Sequence, residues 1–201
     1  MAAKSAPTDP LSRLPALADG STDTHVIIDT PKGSRNKYKF DDEHGIFKLS
    51  GVLPAGAVFP FDFGFVPSTM GGDGDPLDVL VLMDEPAFAG CVIEARLIGV
   101  IEAEQTEDGE TARNDRLIAV AATARNHQDV FSLDQLSENL LKEIEHFFVS
   151  YNEIKGKRFR PLGRYGPERA AELIEEGIKL FRGRRKAQHG RKGKAEGRRA
   201  K

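Results

Sequence analysis

Three aspartates lie within six residues in the segment Gly71-Gly-Asp-Gly-Asp-Pro-Leu-Asp78, directly before the apolar run Val79–Met83. The glycines between them permit tight turns, so the carboxylates of Asp73, Asp75 and Asp78 can point at one cation. Carboxylate oxygens are the ligands that Mg²⁺ and Ca²⁺ prefer. The segment therefore predicts a divalent-metal loop that leads into a buried strand, with an acidic surface turn as the simpler alternative.

A calcium-binding EF-hand does not fit this loop. Counted from Asp73, the sixth position would need glycine and the twelfth glutamate. The chain has Asp78 and Asp84 there.

Charged residues also flank two other predicted turns and the end of a predicted helix. They are Asp29, Arg35 and Lys37 at the first turn, Glu104, Asp115 and Arg116 at the second, and Tyr151 and Lys157 at the helix end. Acids suited to metals and bases suited to phosphate thus occur together along the chain.

The elements that must position these residues are predominantly strands. Runs rich in valine, isoleucine and phenylalanine alternate with glycine, proline and aspartate turns. The predicted strands are His25–Asp29, a hairpin of Lys37–Phe40 with Ile46–Leu49, then Phe59–Phe65, Val79–Met83, Cys91–Ile101 and Leu117–Ala122. Strands follow strands without intervening helices, which favours a closed or strongly twisted antiparallel sheet.

Two helices follow the strands. Apolar residues recur every three or four positions from Leu133 to Tyr151, and Ser132 with Gln135 is typical of a capping box, which predicts a helix that begins near Leu133. A second helix is predicted from Pro167 to about Phe181. The sequence therefore predicts an α+β fold, mainly β, in which a barrel-like sheet packs against two helices.

Charge is distributed unevenly along the 201 residues. The whole chain has 29 Lys+Arg and 31 Asp+Glu, but residues 182–201 contain ten basic residues and one acid. We predict an N-terminal arm over 1–24, one domain over 25–181 and a basic, disordered tail over 182–201. Such a tail can bind nucleic acid or polyphosphate weakly by charge, fold back on the acidic body, or only add solubility.

Composition excludes several other classes of protein. The single cysteine, Cys91, cannot form a disulfide within the chain. No stretch approaches the roughly 18 apolar residues of a membrane helix, and the N-terminus lacks the apolar core of a signal peptide. We therefore expect a soluble, cytoplasmic protein without a membrane partner.

The segment Asp73-Gly-Asp-Pro-Leu-Asp78 resembles the signature of the family I inorganic pyrophosphatases, soluble enzymes that depend on Mg²⁺. Segments around residues 31–38, 58–65, 96–100, 146–151 and 155–157 resemble the family in the same order. The resemblance covers residues 25 to 160. It implies a five-stranded closed barrel of the oligonucleotide-binding (OB) type with a hairpin extension and two flanking helices, and a homo-oligomer that is hexameric in bacterial relatives.

The resemblance also implies roles for individual residues. Asp75 would be the general base on the attacking water, while Asp73 and Asp78 would bind Mg²⁺, with Asp78 bridging two ions. Asp29 would hold a further metal ion through water. Phosphate would be bound by Lys37, Tyr151 and Lys157.

Several positions depart from the best-known bacterial members of the family. Lys39 replaces a glutamate, Gly51 an arginine that grips phosphate, Phe59 and Phe63 two tyrosines, and Asn152 a lysine. Each lost charged donor costs about 1.5–3 kcal/mol of phosphate interaction if nothing replaces it. Other cations near the predicted turns can compensate, in particular Arg35, Lys39 and Arg116.

The second acidic turn allows two alignments with the family pattern. The first assigns Glu104 and Asp115 as metal ligands and Arg116 as the substitute for a lysine. A shift of one residue nominates Gln105 or Asn114 instead.

The sequence thus predicts a Mg²⁺-dependent inorganic pyrophosphatase. One alternative is a weakened protein of the same fold that binds nucleic acid or polyphosphate through its tail. Another is an enzyme that retains the metals but prefers a different phosphoanhydride.

Overall fold

The structure, a computed structural model, describes residues 14–41 and 44–199, with side chains as far as residue 187. The strands are β1 (Thr24–Thr30), β2 (Asn36–Asp41), β3 (Ile46–Val52), β4 (Asp62–Phe65), β5 (Asp78–Leu82), β6 (Val92–Glu107), β7 (Glu110–Arg113), β8 (Arg116–Ala121) and β9 (Arg158–Tyr165). The helices are α1 (Glu138–Glu153) and α2 (Pro167–Arg199), preceded by a 3₁₀ turn over Leu133–Gln135.

Five strands pair in a ring in the order β1, β4, β5, β8, β6 and back to β1. Only the β5–β8 pair is parallel among the pairs of this ring. The strand β6 closes the ring because its first part pairs with β1 and its middle with β8. Register shifts in β1 and β6 make the closure uneven. The predicted mainly-β fold with a five-stranded ring is confirmed, and the closure of the ring is uneven.

The core fills the ring and the space between it and the helices. Residues Val79–Leu82 of β5 are completely buried, and Leu117–Val120 of β8 nearly so. Such continuous apolar runs are typical of strands covered on both faces. Ile144 and Phe148 of α1 and Ile174 of α2 pack against this core.

Several strands and both helices differ from the prediction in their bounds, and two strands are new. The predicted strand Phe59–Phe65 begins only at Asp62, although Phe59 and Phe63 are buried as expected. Strands β7 and β9 were not predicted: β7 is a short polar segment, β9 contains a proline and a glycine, and neither shows apolar alternation. Helix α1 begins at Glu138, where the Ser137 hydroxyl accepts from the Leu140 N–H, whereas Gln135 instead caps the 3₁₀ turn.

The second helix is longer than predicted. It continues beyond Phe181 to Arg199, so the expected disordered tail over 182–201 is corrected for residues 182–199, whose backbone is helical. After Pro167 the helix contains no further proline, and its arginines, lysines and alanines are good helix formers that outweigh the scattered glycines.

The described part of the N-terminal arm, from residue 14, runs into β1. Ala16 and Ala18 are buried, and the Ala16 carbonyl accepts from the His25 N–H. The first 13 residues of the predicted arm lie outside the described residues. No helix in the described ranges is long and apolar enough to cross a membrane.

Candidate active site

A cavity of about 350 Å³ opens between the ring, the β2–β3 hairpin and the end of α1. Its walls carry an equal number of acidic and basic side chains. The acids are Asp29, Asp73, Asp75, Asp78 and Glu107, and the bases are Lys37, Lys39, Arg116, Lys155 and Lys157. The cavity thus collects nine of the residues that the sequence nominated, together with Lys155 and Glu107, which it did not.

The acid loop, residues 71–78, is held by its own backbone. The Gly71 N–H donates to the Asp75 carbonyl at 2.7 Å, and the Asp75 N–H donates to Asp73 Oδ1 at 3.1 Å. Gly74 has φ of +86°, a conformation that glycine adopts without strain. These turns place the carboxylates of Asp73 and Asp75 at the cavity, next to Asp78 at the start of β5.

Asp29 and Lys37 form the most enclosed ion pair of the cavity. Lys37 Nζ lies 2.6 Å from Asp29 Oδ2, and both side chains are largely buried. Burial raises the pKa of Asp29 to about 6, although the charge of Lys37 acts in the opposite direction. Lys37 Nζ also lies 4.3 Å from the centre of the Phe63 ring, so this phenylalanine contacts the cation through its aromatic face.

Arg116 faces Asp78 across the parallel pair β5–β8. The two residues are register partners, and Arg116 Nη1 lies 2.7 Å from Asp78 Oδ2. The guanidinium is almost fully buried between the rings of Phe148 and Phe159. A planar cation held in this way has a fixed orientation, which suits it to a carboxylate or a phosphate.

The remaining acids of the loop are more exposed. Lys39 Nζ lies 3.2 Å from Asp75 Oδ2, and both side chains are mostly exposed. Asp73 is the cavity carboxylate that forms no ion pair among the described residues. Burial raises the pKa of Asp73, and the negative charges of Asp78 and Asp75 add to this effect.

Two lysines and a tyrosine line the side of the cavity next to the end of α1. Lys155 Nζ donates to the Tyr151 hydroxyl, and Lys157 Nζ lies 2.6 Å from Glu107 Oε2. Burial lowers the pKa of Lys155 to about 8, and the positive charges of Lys37 and Lys157 contribute to the shift. Cations grouped in this way attract a polyanion.

Glu104 and Asp115, assigned above as metal ligands, do not line the cavity. Glu104 pairs with Arg160 at 2.6 Å, and Asp115 accepts from the Ala103 N–H and from Arg113. Their neighbours Gln105 and Asn114 line the cavity instead, 3.1 Å apart through their side-chain amides. Successive residues of a strand face opposite sides, so Gln105 of β6 faces the cavity and Glu104 does not, which is the placement expected from the one-residue shift.

Arg35 also lies outside the cavity. Its guanidinium donates through Nε and Nη2 to the Leu53 carbonyl at 3.2 and 2.9 Å. It therefore ties the residues before β2 to those after β3, and the prediction that it binds substrate is not supported.

The donor set fits Mg²⁺ that is shared with a phosphate ligand. Mg²⁺ usually retains several waters and is bound by one or two carboxylates together with substrate phosphates. Asp73 and Asp78 can supply such carboxylates. Within the described ranges, no three histidine, cysteine, aspartate or glutamate side chains converge into a closed metal cage.

Comparisons with known proteins agree with this chemistry. A family model described as inorganic pyrophosphatase matches residues 26–182. The inorganic pyrophosphatase of Geobacillus stearothermophilus is 42% identical over 156 residues, which cover 78% of this chain and 92% of that protein. The inorganic pyrophosphatase of a Synechocystis species is 38% identical over 172 residues, which cover 86% of this chain and 99% of that protein.

Solved structures show the same similarity in three dimensions. The crystal structure of the Thermus thermophilus inorganic pyrophosphatase superposes with a TM-score of 0.78 at 33% identity, covering 86% of this chain and 98% of that one. The Helicobacter pylori inorganic pyrophosphatase gives a TM-score of 0.76 at 35% identity, covering 85% and 99%.

Proposed function

Because the chain belongs to the inorganic pyrophosphatase family, we propose that its cavity hydrolyses inorganic pyrophosphate to two phosphate ions with the help of Mg²⁺. The observation that carries the proposal is the meeting of the acid loop with five cations in one cavity. Carboxylates there suit metal ions, and the lysines and arginine suit phosphoryl oxygens.

The acid loop is responsible for activating water. Asp73 and Asp78 would hold Mg²⁺, with Asp29 behind them in a water-mediated role. When bound, Mg²⁺ acidifies water and neutralises phosphoryl charge. Asp75 accepts the proton of the attacking water through its carboxylate, which is exposed to the cavity and therefore accessible to that water.

The basic side of the cavity is responsible for the phosphates. Lys37 and Arg116 are held rigidly beside the acid loop, so they orient the phosphoryl group that is attacked. Tyr151, Lys155 and Lys157 lie at the end of α1, where they stabilise the charge of the leaving phosphate. Lys155 provides a charged donor beside the place where Asn152 replaces the family lysine.

The first test measures phosphate release from pyrophosphate with and without Mg²⁺. We expect release that requires the metal and that falls by about 10²–10⁴-fold in Asp75→Asn, the range typical of a lost general base. Asp134→Asn, an exposed aspartate in the 3₁₀ turn, is the matched control and should retain the wild-type rate.

Two results would contradict the proposal. One is an Asp75→Asn variant that hydrolyses pyrophosphate as fast as the wild type. The other is faster hydrolysis of tripolyphosphate than of pyrophosphate, which would favour the alternative with a different phosphoanhydride.

The homo-oligomeric state, a hexamer by resemblance, and the cytoplasmic location stay predictions.

A further inference from the structure

An apolar pocket of about 280 Å³ opens beside the active-site cavity. Val52 and Ile154 are each 59% exposed there, although both are large apolar residues. A cavity of about 150 Å³ is enough to bind benzene, so the pocket has room for one aromatic ring or a short alkyl chain. Its walls are mainly hydrocarbon, contributed by Val52, Leu53, Pro54, Ala57, Phe147 and Ile154.

The apolar pocket and the active-site cavity share a boundary. Lys37, Tyr151 and Lys155 line both of them. The two lysines are the charged residues of the pocket lining, so its positive charge lies at the end that meets the cavity. Apolar walls with a few polar groups at one end are typical of sites for small molecules. The ligand that fits is an anion with an apolar substituent.

The aromatic wall of the pocket is held by ring packing. The rings of Phe147 and Tyr151 are stacked, with centres 5.8 Å apart and an angle of 14° between their planes. Phe59 packs edge-on against both rings, with centres 5.1 and 5.6 Å away. These contacts fix the two side chains in the absence of a ligand.

The wall at Leu53 is held by Arg35. The Leu53 N–H donates to the Arg35 carbonyl at 2.8 Å, and the Arg35 guanidinium donates back to the Leu53 carbonyl. Because both walls are in place before a ligand arrives, little free energy of binding is lost in ordering them.

Gly51 leaves the pocket open. It belongs to the pocket lining, and a Cβ atom added to it would meet no atom within 4 Å. The family pattern described above has an arginine at this position, whereas this chain has no side chain there.

We propose that the apolar pocket binds the organic group of a diphosphate monoester whose diphosphate occupies the active-site cavity. The inference rests on the proposed function, because the same cations hold the diphosphate. A phosphate bound at Tyr151 and Lys155 lies at the boundary, so a carbon chain on its terminal oxygen enters the apolar walls. Diphosphates that carry a short alkyl or aryl group therefore bind tightly and compete with pyrophosphate.

The test is calorimetric titration of two probes that resist hydrolysis, the monomethyl and monopentyl esters of methylenediphosphonate, into the full-length protein in buffer with Mg²⁺. The probes carry the same charge and differ by four methylene groups. Each buried methylene strengthens binding by about fourfold, so burial of two of them makes the pentyl ester bind at least about tenfold more tightly. Hexanoate, which has the pentyl chain without the diphosphate, should bind far more weakly than the pentyl ester.

Three variants locate the alkyl chain. Gly51→Leu adds a side chain at the pocket wall and should remove the preference for the pentyl ester, and Ile154→Ser should reduce it. Ile46→Ser is the matched control, since Ile46 is a similarly exposed isoleucine outside the pocket lining, and it should keep the wild-type preference. Binding of the methyl ester to each variant checks that the fold and the cavity are retained.

Equal affinity for the two esters would overturn the inference, even if the protein hydrolyses pyrophosphate. Sedimentation of Ile154→Ser would then report whether a second copy of the chain covers the pocket instead. A wild-type preference in both Gly51→Leu and Ile154→Ser would also overturn it, because the chain would then lie elsewhere. Hexanoate that binds as tightly as the pentyl ester would exclude a diphosphate as the recognised group.

The proposed function is judged separately. Tight binding of the pentyl ester without any release of phosphate from pyrophosphate would contradict the proposed function and leave the apolar pocket as a binding site. If neither ester binds, the inference fails, and phosphate release alone decides the proposed function.

Discussion

Gly64 of β4 lies directly against the backbone of β1. A Cβ atom built on Gly64 would lie 2.2 Å from the Ile27 carbonyl oxygen, and that oxygen belongs to backbone that cannot turn away. The two strands pair around this residue, with Gly64 opposite Ile28. The pairing of β4 with β1 in the ring therefore requires a residue without a side chain at position 64.

We expect Gly64→Ala to lower the free energy of unfolding by about 1–3 kcal/mol, the usual cost of overpacking. Gly51→Ala is the control, because its added methyl group would meet no atom within 4 Å and its φ is not positive. Chemical denaturation of both variants measures the difference. A Gly64→Ala protein as stable as the wild type would show that β1 and β4 can separate without loss.

Individual residues also show where sequence reasoning succeeded and where it failed. Asp73, Asp75 and Asp78 were predictable because glycine turns bring neighbours in the chain to one point. Glu104 was expected at the cavity but lies away from it, because one step along a strand changes the face on which a side chain lies. That face depends on pairing within the sheet, and the sequence alone left open two alignments of this turn with the family pattern.

At the scale of elements, ion pairs to a buried carboxylate of β6 connect α2 to the barrel. Glu102 accepts from Arg169 of α2 and from Arg113 of β7, each at 2.8 Å. Burial acts to raise the pKa of Glu102, but the hydrogen bonds and charges of the two guanidinium groups outweigh it, so the pKa lies below its ordinary value of 4.5.

The lowered pKa predicts how the contribution of Glu102 depends on pH. An acid whose pKa is lower in the folded state stabilises the fold above its unfolded pKa, and this contribution is lost as the pH falls through the folded value. At pH 7 we expect Glu102→Gln to lower the free energy of unfolding by about 1.5–3 kcal/mol. The deficit should shrink below pH 4.5.

Urea denaturation at several pH values measures this effect. The control is Glu175→Gln, which removes an exposed carboxylate of α2 near Lys179 and should change stability little at any pH. A constant deficit from pH 7 to pH 3 would show that Glu102 acts by packing and not by charge.

The ends of helices and strands could be predicted where residues next to them, such as a proline or a capping serine, determine them. Pro167 marks the start of α2 as expected, since proline suits the first turn of a helix. The start of α1 was predicted too early because Ser132 and Ser137 both offer plausible caps, and the chain uses the first for a 3₁₀ turn. The sequence of β9 shows no apolar alternation. It forms a strand because it pairs with residues 100–106 of β6.

For the whole molecule, charge is separated between the acidic body and the basic end of α2. Towards its basic end the helix contacts the acid loop, where Arg184 Nη1 donates to the Gly74 carbonyl at 3.1 Å. Residues 187–201 lie beyond that contact in the sequence and still contain six basic residues.

A chain that ends at Lys186 should therefore retain pyrophosphate hydrolysis, because Arg184 and every residue of the cavity remain. Its binding to double-stranded DNA, measured by fluorescence anisotropy, should become weaker and less dependent on salt. Each lost phosphate contact reduces the slope of log K against log salt by about 0.9. Identical binding by the truncated and full chains would exclude this segment as a polyanion-binding region.

The pairing of Asp78 with Arg116 across β5 and β8 links assembly of the proposed active site to the order in which the chain folds. The two strands are parallel, so the polypeptide must complete the long strand β6 before β8 can lie beside β5. Contacts between such distant segments form late, since the entropy of loop closure is lost before the pairing stabilises the chain. A nascent or partly refolded chain can therefore contain the whole acid loop and still leave pyrophosphate intact.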